Sequence, residues 1–462
     1  MKPPTKLQES NSEEIKEHII KSQASSKNPS YAKRVLSKMD CGTTAKLFLT
    51  KNLRTSFPPV AKAEDVWMES KLDLDAGTLN LILGYCNPLV QYSLSKQCKT
   101  LDFISSRFMD DQSVALASEI IRFVGIPNSV VNIKLVSGSQ ANEDAIKRVV
   151  KYTKKRLIMS PLHAFFGNTM ATMALSGQYF DKSRYPYLDK TDFIHFEPCI
   201  HGPSLDSHNK NDCHGKCLEK LKCIIEHKEE IAGIFYQPID INSGVIIPSK
   251  EYVKGLRGLC YHDDIPLVFD EIQTAMGWLG ENTASHYFDI FPDIMTLGKA
   301  LAAGQPLAAS VLDKKFDVLE FGESEFTNGA SPISCAVSRR LIQFIEEGHL
   351  LDRARILERQ FKDSLLPLLD SPIVKDIRGI GAIWGIELER TLKPSNNLAS
   401  RIQDLCWKKG VWIRVSDDEE LDNTIILKPA LTISADDLRY GLAILSDTIG
   451  QVTNEQQTLE VE

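Results

Sequence analysis

The sequence predicts an α/β protein: a large domain on a mostly parallel sheet, with a smaller α+β domain beside it. Two patterns carry this expectation. From about 112 to 310, short apolar runs alternate with amphipathic stretches, which is the signature of βα units. Past about 340, a long helical pattern gives way to a strand-rich segment.

The size is compatible with both domains, since 462 residues exceed one minimal core. The formal net charge of -7 argues against nucleic acid or an anionic membrane as partner. No apolar stretch approaches the roughly 18 residues of a membrane span. The polar start, Met1 to Glu9, lacks the apolar centre of a secretion signal, so a cytoplasmic location is expected. The 10 cysteines then read as free thiols.

The expected organisation is a polar tail (1–35), the first part of the small domain with its linker (36–105), the large domain (106–355) and the rest of the small domain (356–462). Strands are expected at Asn132–Val136, Arg156–Met159, Gly233–Tyr236, Pro266–Phe269 and Ile294–Leu297. A polar, irregular stretch from Pro198 to about Cys217 interrupts them and reads as lying outside the core. One long helical pattern covers Ser338–Leu369, and strand signals follow at Gly379–Ile386 and Val411–Arg414.

Three strand ends carry chemistry. Ser137-Gly138-Ser139-Gln140 follows a strand and opens a helix, with Ser137 and Gln140 at capping-box spacing. Gly138 lets backbone approach a ligand closely, and the free N–H groups of a helix start favour an anion such as phosphate. An ordinary serine-capped turn has the same pattern. Next, Pro266 to Phe269 is an apolar run ending in Asp270, at the sheet edge where open α/β sheets hold ligands. A buried carboxylate there needs a cationic partner, although a helix cap or structural ion pair would also account for it. Finally, Lys299 follows the strand Ile294–Leu297 among small and apolar neighbours, where a lysine loses basicity and becomes a nucleophilic amine. Together these are the needs of pyridoxal 5′-phosphate (PLP): an anchor for its phosphate, a carboxylate for its ring nitrogen and an amine for its aldehyde.

The segments Asp270-Glu271-Ile272-Gln273-Thr274-Ala275-Met276-Gly277, Pro292-Asp293-Ile294 and Leu297-Gly298-Lys299-Ala300-Leu301 closely resemble the signature of class III (omega) PLP-dependent aminotransferases. The likeness extends from about 65 to 445. It implies the PLP-dependent transferase fold type I, with a mostly parallel seven-stranded sheet, a small domain from both chain ends and a homodimer with shared active sites. It also implies that Lys299 holds PLP as a Schiff base and that Asp270 pairs with the ring nitrogen. Gly138 and Ser139 would bind phosphate, Phe165 and Ile272 would sandwich the ring, and Gln273 would contact its phenolic oxygen. Thr327, in Phe326-Thr327-Asn328-Gly329, would reach the neighbouring subunit's phosphate. Val411-Trp412-Ile413-Arg414 resembles a segment whose arginine binds substrate carboxylate. The implied activity moves an amino group from an amine or omega-amino acid to a keto acid. The alternative is another reaction on the same fold: decarboxylation, racemisation, aminomutation or phosphate elimination.

Departures from the family pattern bear on substrate. Phe165-Phe166 replaces the usual Tyr-His, Gln237 replaces the glutamate before Pro238, and Asn168 replaces an arginine. Ile426 stands where ornithine-type enzymes carry a carboxylate-binding arginine. Trp278-Leu279-Gly280 and Ser331-Pro332 replace Arg-Thr-Gly and Asn-Pro. Among the smaller signals, Cys199, His201, His208, Cys213, His214, Cys217 and Cys223 lack the paired spacing of a zinc framework, so no metal is expected. A surface pairing of Arg414 with Asp417 or Asp418 is the alternative to its binding substrate.

Overall fold

The computed structural model describes residues 44–50, 66–177, 192–200, 202–203, 215–227, 230–390, 398–416 and 423–461. The expected tail 1–35 lies outside them, as do His201, His208, Cys213, His214, Asp417 and Asp418.

The strands in chain order are β1 (Thr44–Thr50), β2 (Val66–Asp73), β3 (Ser129–Leu135), β4 (Leu157–Pro161), β5 (Phe193–Phe196), β6 (Ile231–Tyr236), β7 (Leu267–Asp270), β8 (Ile294–Leu297) and β9 (Ala308–Asp313). They continue as β10 (Val374–Ile380), β11 (Ile383–Leu388), β12 (Val411–Trp412), β13 (Arg414–Val415) and β14 (Thr424–Leu427). A seven-stranded sheet runs in the order β3-β9-β8-β7-β6-β4-β5. Only β9 is antiparallel to its neighbours; every other pairing is parallel. The central strands β6, β7 and β8 are buried at every position, as the unbroken apolar runs require of strands covered on both faces. The mixed, mostly parallel sheet of the expected fold class is therefore present. A four-stranded sheet, β10-β11-β14-β13, and a three-stranded one, β1-β2-β12, pack beside it.

Four local expectations need correction. The segments Phe193–Phe196 and Ala308–Asp313 are strands that the pattern did not signal. The helical pattern Ser338–Leu369 is two α-helices, α1 (Pro332–Glu347) and α2 (Leu350–Leu365), ending in a 3₁₀ turn. His349 takes a left-handed φ of 53° at their junction, which no continuous helix accepts. The run Val411–Arg414 is not one strand. Val411–Trp412 pairs with β2 and Arg414–Val415 pairs with β14, so the chain changes sheets at Ile413. Finally, Cys199, at the start of the polar stretch, is fully buried, and Lys216–Glu226 within its end forms a helix.

Candidate active site

Each of the three expected junctions lies at one edge of the seven-stranded sheet. Asp270 ends β7 and pairs in register with Thr296 of β8, three residues before Lys299. The hydroxyl of Thr296 donates to Asn142 Oδ1 (2.8 Å), and Asn142 Nδ2 donates to Asp270 Oδ2 (2.9 Å). Asn142 lies on the helix Gly138–Thr153, so the helix after β3 is tied to both central strand ends. Sequence reading missed Asn142, although it stands within the quoted Ser137–Glu143 run. Gln237 Nε2 also approaches Asp270 (3.4 Å) and donates to the carbonyl of Phe165 (2.7 Å).

Asp270 is sealed from solvent, and the backbone N–H of Ile272 donates to its Oδ1 (3.0 Å). Burial pushes its carboxyl up to about 6, against the hydrogen bonds from Asn142, Ile272 and Gln237. Lys299 has a left-handed φ of 46° immediately after extended Gly298. Burial, reinforced by the nearby cations Lys428 and Arg414, lowers its ammonium to about 8. A carboxylate that lacks a full cationic partner and a lysine that gives up its proton readily thus share one sheet edge.

Gly138 starts its helix against Ile272: a Cβ there would stand 2.6 Å from Ile272 Cδ1. Any larger residue would push the Ile272 side chain aside, and the glycine brings the helix start against Ile272 and Gly298. Ser137 caps the helix through Gln140 N (3.3 Å), but Gln140 Oε1 accepts from Val136 N rather than from Ser137 N. The reciprocal half of the expected capping box has moved one residue upstream. Ser139 Oγ accepts from Asn168 N (3.2 Å), bringing the loop after β4 to the helix start. On that loop Phe165 is half-buried, while Phe166 turns into the core and meets Phe235 edge-on at 6.2 Å.

Other expected residues are placed less centrally. Thr327 is exposed on a loop held to β3 by Phe326 N and Ala330 N, which donate to the carbonyls of Lys134 and Ile133. β3 is the outer strand of the sheet, three places from β7. Arg414 is half-buried and stands opposite Ile426 across the β13–β14 pair. Among the described residues no group of three His, Cys, Asp or Glu side chains is arranged to hold a metal.

The donor set fits PLP. Asp270 is a buried anion suited to a protonated ring nitrogen, and Lys299 is an amine suited to an aldehyde. Gln273 Oε1 is buried with no hydrogen-bond partner, as expected of a group whose partner arrives with a ligand. The Gly138–Ser139 helix start presents unpaired N–H groups for a phosphate.

Comparison with known proteins agrees with the geometry. The profile of the family Aminotransferase class-III matches residues 59–449. An acetylornithine aminotransferase of Methanocaldococcus jannaschii is 30% identical over 70% of this chain and 78% of its own. A mitochondrial ornithine aminotransferase of Oryza sativa subsp. japonica is 30% identical over 79% and 75%. In fold, an omega-aminotransferase from Paracoccus denitrificans superposes with a TM-score of 0.77 at 24% identity, covering 85% of this chain and 91% of that one. The chain, matched over residues 59–449, belongs to the class III aminotransferases and is a PLP-dependent enzyme.

Proposed function

We propose that Lys299 is the residue that carries PLP, as a Schiff base, and that it moves the proton between substrate carbon and cofactor during transamination. The observation that carries this reading is the placement of Lys299, lowered to about 8, and of the buried carboxylate of Asp270 at the ends of two adjacent, paired strands. When bound, the cofactor supplies an electron sink that makes a substrate C–H bond acidic. Asp270 keeps that sink effective by holding a proton on the ring nitrogen, and Asn142 and Ile272 N orient Asp270. Gly138 and Ser139 receive the phosphate at their helix start. Phe165 covers one face of the ring, Ile272 packs on the other, and the Gln273 side-chain amide contacts the phenolic oxygen by donating its N–H. Arg414 receives a substrate carboxylate. Thr327, exposed on a loop tied to β3, serves the site of a second subunit in a homodimer. The eight described cysteines are all free, which supports a reducing compartment such as the cytoplasm.

The test is reductive trapping. Borohydride treatment of the PLP-loaded protein should attach the cofactor to the peptide containing Lys299. Uptake of PLP by the cofactor-free protein should accelerate as pH rises through about 8, because only the neutral amine attacks the aldehyde. An amine donor given alone should convert the cofactor to its amine form, whereas elimination or decarboxylation would return it unchanged. Attachment to any other lysine would remove Lys299 from this role.

A further inference from the structure

Gln237 departs from the family pattern, and the fold gives it two partners in the site. β6 pairs with β7 in the register Tyr236 to Phe269, so Gln237 follows on beside Asp270. Its Nε2 donates to the carbonyl of Phe165 at 2.7 Å and reaches Asp270 Oδ2 at 3.4 Å. Asn142 does the same from the helix Gly138–Thr153. Its Nδ2 donates to the carbonyl of Phe166 at 2.8 Å and to Asp270 Oδ2 at 2.9 Å. Two amide nitrogens, from separate elements, thus tie consecutive carbonyls of the loop after β4 to one carboxylate oxygen.

The bridges require amides. An amide nitrogen carries two N–H groups and can serve two acceptors at once. A carbonyl only accepts, so Phe165 and Phe166 fix which end of each amide faces the pair. Gln237 is 6% exposed, and a glutamate in its pose would set an oxygen against two acceptors. Gln237 Oε1 is buried with no hydrogen-bond partner, so hydrogen bonds hold this side chain through its nitrogen alone. An unpaired buried acceptor is costly, and the contacts at nitrogen offset that cost. The third donor to Asp270 is also neutral, the N–H of Ile272. Neutral donors orient the carboxylate without cancelling its charge, which an arginine at 237 would do. Asp270 is thereby kept for a cation that comes from outside the chain.

We propose that Gln237 and Asn142 are paired amide bridges that lock the Phe165–Phe166 backbone to Asp270, and that Gln237 is a positioning residue for the bound cofactor. Through Phe165 it sets how firmly the ring is covered. Through Asp270 Oδ2 it sets where the ring-nitrogen proton rests. A hydrogen bond to the carboxylate lowers its basicity and leaves the proton on the ring nitrogen; without that bond the proton shifts towards Asp270. The proposal rests on the reading of Asp270 as the partner of the ring nitrogen and of Phe165 as the cover of the ring.

The test loads the full-length protein with PLP isotopically labelled at its ring nitrogen. The nitrogen resonance reports where the proton rests, and titration of cofactor-free protein with PLP gives its Kd. Gln237→Met, similar in length but without donors, should move the resonance towards that of unprotonated pyridine. It should also weaken PLP binding about threefold to tenfold, the loss expected for one buried hydrogen bond. Gln237→Leu should change both readouts in the same direction, which keeps the test decisive if one variant does not fold. Asp270→Asn is the control for the underlying reading and should move the resonance further. No movement in Asp270→Asn would overturn the role of Asp270 itself. Movement there, with resonance and Kd unchanged in the folded Gln237 variants, would leave that role standing and overturn this proposal. A lower melting temperature with both readouts unmoved would mean that Gln237 is structural only. A change in one readout without the other would break the coupling and overturn the proposal as well.

Discussion

Asp270 shows what a buried carboxylate costs the fold that holds it. Its carboxyl is raised from 3.8 to about 6, so the cofactor-free folded state binds that proton more tightly than the unfolded chain does. Stability of the cofactor-free protein should therefore fall as pH rises from about 4 to about 6, and stay reduced above that. Asp270→Asn removes the ionisation and should raise the melting temperature of the cofactor-free protein at neutral pH, by up to about 3 kcal/mol of stability. The gain should vanish near pH 4. In the PLP-loaded enzyme the same change should slow turnover severely, since a neutral amide cannot keep the ring nitrogen protonated. A lower melting temperature at pH 7 for cofactor-free Asp270→Asn would contradict this account. Glu271, one residue on, is equally buried but is satisfied by Ala284 N, Ser285 N and two hydroxyls. Adjacent carboxylates thus differ in their partners: Glu271 caps a helix from within, and Asp270 lacks a full counter-ion.

Among the elements, the junction of α1 and α2 is the clearest departure from periodicity. The apolar spacing continues across it, because both helices bury one face: Leu341 and Ile345 on the first, Leu357 and Phe361 on the second. Periodicity reports which face is buried, not whether the axis bends. The bend comes from Gly348 and from His349, whose left-handed φ costs a side chain about 1–2 kcal/mol. His349→Gly should raise stability by up to about 1 kcal/mol, read as a higher urea midpoint with unchanged slope. His349→Val should lower it. A midpoint unmoved by both would mean that the junction relaxes without strain.

For the whole molecule, the position of Thr327 is the informative one. It lies on an exposed loop fastened to β3, an outer strand of the sheet. A residue that serves a partner's cofactor should sit in such a place. Mixing Lys299→Ala with Thr327→Ala protein under conditions of subunit exchange should create heterodimers with one doubly damaged site and one intact site. Activity should then exceed that of either parent. If exchange is demonstrated by mass and activity does not rise, each site is complete within one chain.

The parallel centre of the sheet, its strand-end Asp270 and Lys299, and the cofactor they imply were all legible in local sequence. The reason is that buried strands covered on both faces are written as apolar runs, and a ligand edge is written as the polar residue that ends each run. Phe193–Phe196 escaped notice because its four residues include the polar His195, and Ala308–Asp313 because its Ala-Ala-Ser start has weak strand preference. Asn142 and Lys428 were hidden for a different reason. Asn142 gains its role from strands 128 and 154 residues away, at Asp270 and Thr296. Lys428 becomes a buried ion pair only because β2 threads between β12 and β14 and brings Asp75 to it. Local order of residues decided where Lys299 and Asp270 stand. Only the tertiary structure decided which distant charges surround them, because Coulomb interactions and buried hydrogen bonds depend on separation in space, to which separation along the chain is no guide.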